Sequence, residues 1–192
     1  MSSAALDLRE IPLERQRRLR RVEYEQLVEL GVFKDERVEL LYGVVVKMSP
    51  IGPPHNNAVA RLNELLVLAL VGRGVELRPQ SSFAASDDSE PEPDFTLVPR
   101  GDYRTAHPAQ AYLVIEVAQS SLKDDRAVKA RLYAEAGVPE YWIVNLVDQV
   151  VEVHRKPASG RYESITIVRA GESLDIEQFP DVRISVDAIL GR

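Results

Sequence analysis

From Asn56 onward, apolar residues recur at three- and four-residue steps (Val59, Leu62, Leu66, Leu70) until Gly72 and Gly74, and this spacing predicts an amphipathic helix. Ahead of it, "VEYEQLVELG" places Val22, Leu27 and Leu30 loosely on one face before Gly31, which reads as a helix of about ten residues. A third helical stretch runs from about Lys123 to Ala136 and stops at Gly137, with Val128 and Leu132 as its core-facing stripe. The remaining pattern is β-like. "RVELLYGVVVKMSP" holds two β-rich runs around Tyr42-Gly43, a hairpin ended by Pro50. "VELRPQSSFAA" and "DFTLV" read as strands, and the unbroken apolar run "AYLVIEVA" reads as a central strand buried on both faces. "EYWIVNL", "VVEVHRK" and "YESITIVR" form a meander with turns at Asp148-Gln149 and Ser159-Gly160. "SPIGPPH" is loop, "SDDSEPEP" reads as an exposed loop, and a long loop passes through Gly101 and Pro108. Together these elements predict an α/β (α+β) fold. A central mixed β-sheet is flanked by helices, with an added N-terminal hairpin and a C-terminal strand meander.

At 192 residues, 45% hydrophobic and 28% charged, the chain has the composition of one soluble globular domain. We expect that domain over residues 22–192, preceded by a flexible basic arm over residues 1–21. The absence of cysteine excludes disulfides, thiolate metal sites and a cysteine nucleophile, and it fits a reducing compartment. No apolar signal segment precedes the N-terminal charges and no uncharged stretch is long enough to cross a bilayer, so a cytoplasmic protein is expected. A net charge of −6 argues against non-specific coating of nucleic acid, which needs many lysine and arginine contacts to phosphate. The one dense basic run, "RQRRLRR", contains Arg15, Arg17, Arg18, Arg20 and Arg21. It is either a solvated tail or helix face, or an arm that touches phosphates.

Glu116 carries the most chemical information, because a carboxylate inside a buried strand is expensive without a cationic partner. Asp94 begins the preceding strand, just after Pro91 and Pro93, where local propensity gives no reason for an acid. If the two strands are neighbours, both acids converge at one end of the sheet. Two oxygen ligands with positions left for water suit Mg²⁺. On the following helix Asp125, Lys129 and Tyr133 stand four residues apart and share a face. A lysine there stays protonated and serves to stabilise charge on a phosphoryl group. Plainer accounts exist for each piece: a surface ion pair for Asp125 and Lys129, a turn for Asp94, a structural arginine opposite Glu116. His55 opens the long helix as a surface residue or a phosphate contact, and Arg78, Gln80 and Tyr133 are candidates to line a cleft. His107 and His154 have no partner at metal-ligand spacing, so no zinc site is expected.

"PDFTLV" followed by "YLVIEVAQSSLKDDRAVKARLYAEAGVPEYWIVN" resembles the PD-(D/E)xK nuclease superfamily. Within it the stretch is similar to the Uma-type family of restriction-endonuclease-like proteins found in many bacteria, from about Val22 through Val168. The tract "LYAEAGVPEYWIV" is the most specific part. The resemblance implies a restriction-endonuclease-like core in which Asp94 matches the motif aspartate and Glu116 the acid of (D/E)xK. It makes Lys129 the lysine carried by the next helix and Glu39 the N-terminal glutamate, and His55 also falls on a family position. Ala118 stands where the superfamily's usual lysine would be, Gln119 where relatives often have an acidic residue or serine, and Asn145 where aspartate is common. The implied function is a Mg²⁺-dependent endodeoxyribonuclease, with Mn²⁺ able to substitute. Asp94, Glu116 and a backbone carbonyl at Val117 hold the metal, and Lys129 and Glu39 assist catalysis. DNA is the expected substrate, a homodimer the expected route to double-strand cutting, and no nucleotide cofactor is implied. The competing readings are a catalytically silent nuclease-like domain that binds nucleic acid or a protein, and a phosphodiesterase for small nucleotides.

Overall fold

β5 (Leu113–Ala118) carries Glu116 within its apolar run, and it lies inside the sheet. In the computed structural model, which describes residues 12 and 15–192, all six of its residues are buried. Residues 1–11, 13 and 14 of the expected basic arm lie outside the described residues. The sheet has six strands in the order β3-β4-β5-β6-β7-β8. They comprise β3 (Val75–Pro79), β4 (Phe95–Pro99), β5, β6 (Glu140–Asn145), β7 (Val150–Ala158) and β8 (Arg161–Val168). Only the β5–β6 pair is parallel. A parallel pair needs a crossover, and the chain supplies it as α3 (Leu122–Asp124), a π-helical turn (Asp125–Lys129) and α4 (Ala130–Glu135), which run on as one rod.

The period of two along β5 divides the molecule. Leu113, Ile115 and Val117 face one core, shared with α2 (Pro53–Leu70) and with the C-terminal β9 (Ser173–Ile176), β10 (Phe179–Ser185) and α5 (Val186–Leu190). Val114 and Ala118 face the other core, with Ala130, Tyr133 and Ala134 of the crossover rod. Glu116 therefore falls on the rod's side. Asp125, Lys129 and Tyr133 share the rod's inward face with Lys129 against Glu116, and Leu132 is buried, but Val128, expected on the core-facing stripe, is 36% exposed. Acid and lysine displace the aliphatic side chain because Glu116 is underneath.

α1 (Arg21–Glu29) forms where expected, but Val22 and Leu30 are exposed and Tyr24 is the residue that anchors it. Its ring stacks on Phe33 at 5.9 Å and its hydroxyl donates to the Val38 carbonyl at 2.9 Å. The hairpin of β1 (Val38–Leu41) and β2 (Val44–Lys47) turns at Tyr42-Gly43, both with positive φ (51° and 76°), the signature of a type I′ turn. α2 starts at Pro53, three residues before Asn56, because Pro53 and Pro54 sit in its first turn, where no amide is needed. β9, β10 and α5 add a second hairpin and a cap that the pattern did not indicate; Leu174, Ile176, Val182 and Ile184 close the α2 side of the core.

The one large departure is "SDDSEPEP". Rather than an exposed loop, residues 89–94 are a strap wedged between hairpin and sheet, with Ser89, Glu90, Pro91, Pro93 and Asp94 buried. Much of the strap's backbone is hydrogen-bonded to the hairpin and the sheet side, which is why so polar a segment can be covered. Glu90 and Leu40 exchange both of their backbone hydrogen bonds, Ser89 Oγ accepts from the Tyr42 amide at 2.9 Å, and Phe83 donates to the Pro91 carbonyl at 3.0 Å.

Gly43 and Gly72 have the same φ of +76° but different surroundings. A Cβ at Gly43 would collide with Arg18 Cβ and lie 3.0 Å from the Leu19 carbonyl; at Gly72 nothing stands within 4 Å. Gly72→Ala should lose about 1 kcal/mol, the left-handed backbone cost alone, and Gly43→Ala about 3 kcal/mol. Urea denaturation of both variants checks this, and equal losses would show that the segment preceding α1 does not press on the hairpin.

Candidate active site

β4 and β5 pair only as far as Phe95 opposite Ile115. Beyond that point the Val117 amide on the β4 edge has no backbone carbonyl to meet. The Asp94 carboxylate takes its place, with Oδ2 accepting from Val117 N at 2.8 Å. A strand residue presents N–H and C=O on the same edge, so the Val117 carbonyl leaves toward Asp94 as well. His55 Nε2 lies 3.1 Å from the same Asp94 Oδ2. His55 is 7% exposed, so it is a buried partner of Asp94 rather than a surface residue at the start of α2. The two prolines before Asp94 stiffen the strap that delivers it.

On the adjacent face Glu116 Oε1 accepts from Lys129 Nζ at 2.9 Å and from the Tyr133 hydroxyl at 2.7 Å. Lys129 Nζ also lies 3.1 Å from Glu39 Oε2, which accepts the Glu92 amide at 3.2 Å. Asp125 accepts from Ser121 Oγ at 2.6 Å. The π-helical turn helps to align these groups. Four residues of α-helix overshoot a full turn by about 40°, while four residues of the wider π turn fall short of one. The two steps from Asp125 to Lys129 to Tyr133 therefore offset, and all three side chains stay on the inward face.

Glu39, Asp94, Glu116 and Asp125 are 5%, 9%, 5% and 2% exposed, and among the described residues Lys129 is the cation in contact with Glu39 and Glu116. Burial works against the Lys129 ammonium, but Glu116, Glu39 and Asp125 outweigh it and hold its pKa well above the ordinary lysine value. The acids are less well compensated. Burial pushes Glu116 up to about 8 despite Lys129, with Asp125, Asp94 and Glu39 adding repulsion. Burial likewise pushes Asp125 up to about 6. Protons thus make good a shortage of positive charge.

Asp94 and Glu116 each use one oxygen for the protein, Oδ2 and Oε1. Neither Asp94 Oδ1 nor Glu116 Oε2 receives a hydrogen bond among the described residues. Both acids, with Glu39, Asp125, Lys129, His55 and Val117, line one cleft of about 400 Å³. Its roof is the hairpin and the segment after it, from Val44 through Ile51. An open cleft lined by spare carboxylate oxygens can hold a hard divalent cation and place an ammonium beside it.

The expected supporting residues divide. Tyr133 lies fully buried beneath the cleft, bonded to Glu116. Gln80 is exposed and contributes only its backbone amide, to the Asp94 carbonyl at 3.0 Å. Arg78 pairs with Glu76 and stacks over Tyr103. Of the N-terminal arginines, Arg17 pairs with Glu23, Arg18 donates to the Tyr42 carbonyl at 2.8 Å and Arg21 to Glu25 at 2.5 Å, while Arg15 and Arg20 are exposed. None of the five lines this cleft. Gln119 does line it, whereas Asn145 is buried and bonds Asp148 and Glu152 at the β6–β7 turn. Ser121 and Arg37 were missed. Ser121 opens an S-x-x-D pattern that marks a helix start, and Arg37, which pairs with Glu92 at 2.6 Å, left no local signal. His107 does have neighbours of metal-ligand type, Glu25 and Glu90, which only the folded chain brings together.

A family model described as "Uma2: Putative restriction endonuclease" matches residues 21–187. A crystal structure from Anabaena variabilis, titled as a putative nuclease belonging to DUF820, is similar with a TM-score of 0.66 at 14% identity. The match covers 80% of this chain and 89% of that one, a likeness of fold. No curated protein matches.

A carboxyl whose pKa is raised by folding binds its proton more tightly folded than unfolded. Glu116's contribution to stability is therefore complete below about 4.5 and is lost as pH rises through about 8. Lys129 stays charged throughout. In EDTA the melting temperature of the native protein should fall between pH 5 and 9, and that of Glu116→Gln should fall distinctly less. Parallel curves from calorimetry would contradict the assignment.

Proposed function

We propose, from the premise that this chain belongs to the Uma2 putative restriction endonuclease family, that it is a metal-dependent endonuclease of the PD-(D/E)xK type hydrolysing DNA phosphodiesters. The observation that carries the reading is the shortage of positive charge among four buried acids, two of which keep an unbonded oxygen at an open cleft. A structural acid is compensated quite differently in the same molecule. Glu152 would be raised by burial, but Arg126 and Asn145 bring its carboxyl below the ordinary range.

The donor set fits Mg²⁺, or Mn²⁺ in its place: Asp94, Glu116 and the Val117 carbonyl are hard oxygens with room for water beside them. Bound there, the ion supplies a water of lowered pKa and polarises the phosphoryl oxygen. Lys129 remains an ammonium, held by Glu116 and Glu39, and stabilises the negative charge that develops on phosphate. Tyr133, with a pKa raised well above the ordinary value by burial, is a fixed neutral donor that keeps Glu116 in place. His55 and the Val117 amide fix Asp94 in the same way, and Glu39, paired with Lys129, either assists a second metal or orients a water. Cutting both strands is easier with two such clefts, which a homodimer would supply.

Nicking of supercoiled plasmid tests the assignment. The native protein should nick with Mg²⁺ or Mn²⁺ and not in EDTA, and Asp94→Asn, Glu116→Gln and Lys129→Ala should each lower the rate by about 10²-fold or more. Full activity in Lys129→Ala would sink the role given to the helix lysine. A folded native protein that neither cleaves nor gains thermal stability from Mg²⁺ would be a silent nucleic-acid or protein-binding domain.

A further inference from the structure

The strap that delivers Asp94 carries a second buried acid on its other side. Glu90 is 5% exposed and its Oε2 has no hydrogen-bond partner. It cannot swing out, because its amide and carbonyl are both bonded to Leu40, at 2.7 and 3.2 Å. Two further ligand-type side chains converge on it, Glu25 from α1 and His107 from the loop after β4. One ligand atom from each of the three lies within 4.8 Å of the others, and His107 Nε2 is 3.7 Å from Glu90 Oε1. Donor atoms on one zinc ion, bound at about 2.0–2.2 Å, stand about 3–4 Å apart, so a small inward movement completes the set.

We propose that Glu25, Glu90 and His107 form a second metal site, separate from the cleft of Asp94 and Glu116, for Zn²⁺ or a chemically similar first-row divalent ion. An imidazole nitrogen with two carboxylates favours such an ion over Mg²⁺. Three protein ligands leave a position for water, and the site opens onto a cleft of about 650 Å³. The electrostatics agree: burial pushes Glu90 up to about 7, with Glu25 adding to the rise, and burial lowers the His107 pKa. Arg21 pairs with Glu25 at 2.5 Å and would share that carboxylate with the ion. The ion ties α1, the strap and the loop after β4 together, and through the Glu90–Leu40 bridge it steadies the strand that bears Glu39.

The test is Zn²⁺ binding to the full chain in the Asp94→Asn/Glu116→Gln background, which removes the principal acids of the other cleft. Calorimetry should give one equivalent of Zn²⁺ with an upward shift in melting temperature. Adding Glu90→Gln should weaken binding at least tenfold. His107→Ala, on the partly exposed rim, should do the same in a protein with native circular dichroism, and should alter the visible absorption of bound Co²⁺. No zinc uptake in the background protein, or uptake unchanged by His107→Ala, would overturn the site. If Glu90→Gln fails to fold, His107→Ala decides alone.

Discussion

One lysine is set among four buried carboxyl groups, and much of the molecule serves to hold it there. Removing an ion from water costs several kcal/mol even after the protein relaxes, so buried acids ordinarily arrive with their compensation. Glu140 is fully buried, but Arg155 donates to it twice and it also takes the Trp142 indole and the Glu177 amide. Glu152 has the Arg126 fork and Asn145. The group around Lys129 has no arginine in contact with Glu116, Asp94 or Asp125 among the described residues, and the free carboxylate oxygens lie where the fold leaves an opening. A shortage of positive charge at an open cleft, beside Glu152 whose carboxyl Arg126 and Asn145 bring below the ordinary range, separates a site from a scaffold.

The cluster comes from four places that no local rule connects. β5 brings Glu116, the crossover rod brings Asp125 and Lys129, the strap brings Asp94 and the hairpin brings Glu39. The β5–rod–β6 unit is the rigid part, because a parallel pair obliges the crossover to lie against the sheet it leaves. The hairpin and strap are held to each other by backbone bonds from Leu40 to Glu90 and from Gly43 to Asp88. Glu39 therefore reaches Lys129 only because its neighbour Leu40 is pinned to the strap. Docking one places the other.

How much of this was legible in the sequence follows from which forces are local. Glu116 stood out because an acid in an apolar strand violates burial economics, and Lys129 because four-residue spacing puts Asp125, Lys129 and Tyr133 on one face. Tyr42-Gly43 announced its turn through backbone conformation alone. The strap was misread because composition reports solvation preference, whereas its burial depends on backbone partners on distant strands. Val128 is hydrophobic yet exposed for the same reason: periodicity does not report that Glu116 draws Asp125 and Lys129 onto the rod's inner face. His55 looked like an exposed helix start until the fold set Asp94 beside it, and the convergence of Glu25, Glu90 and His107 exists only in three dimensions.

The carboxylates show the same division of labour. Asp94 and Glu116 each bind the protein through one oxygen, with two donors apiece. Such donors cost entropy to assemble, and that cost is met by folding rather than at the moment a ligand arrives. A carboxylate free to rotate would have to be ordered by its ligand, whereas here the second oxygen is already aimed by the bonds to the first. The Tyr133 hydroxyl, too deep to reach the cleft, and the Val117 amide, left over where β4 ends, therefore shape the site as much as the acids they hold. The sheet's incomplete pairing is part of the same device: had β4 continued to pair past Ile115, its backbone would have taken the Val117 amide and left Asp94 with nothing to fix it.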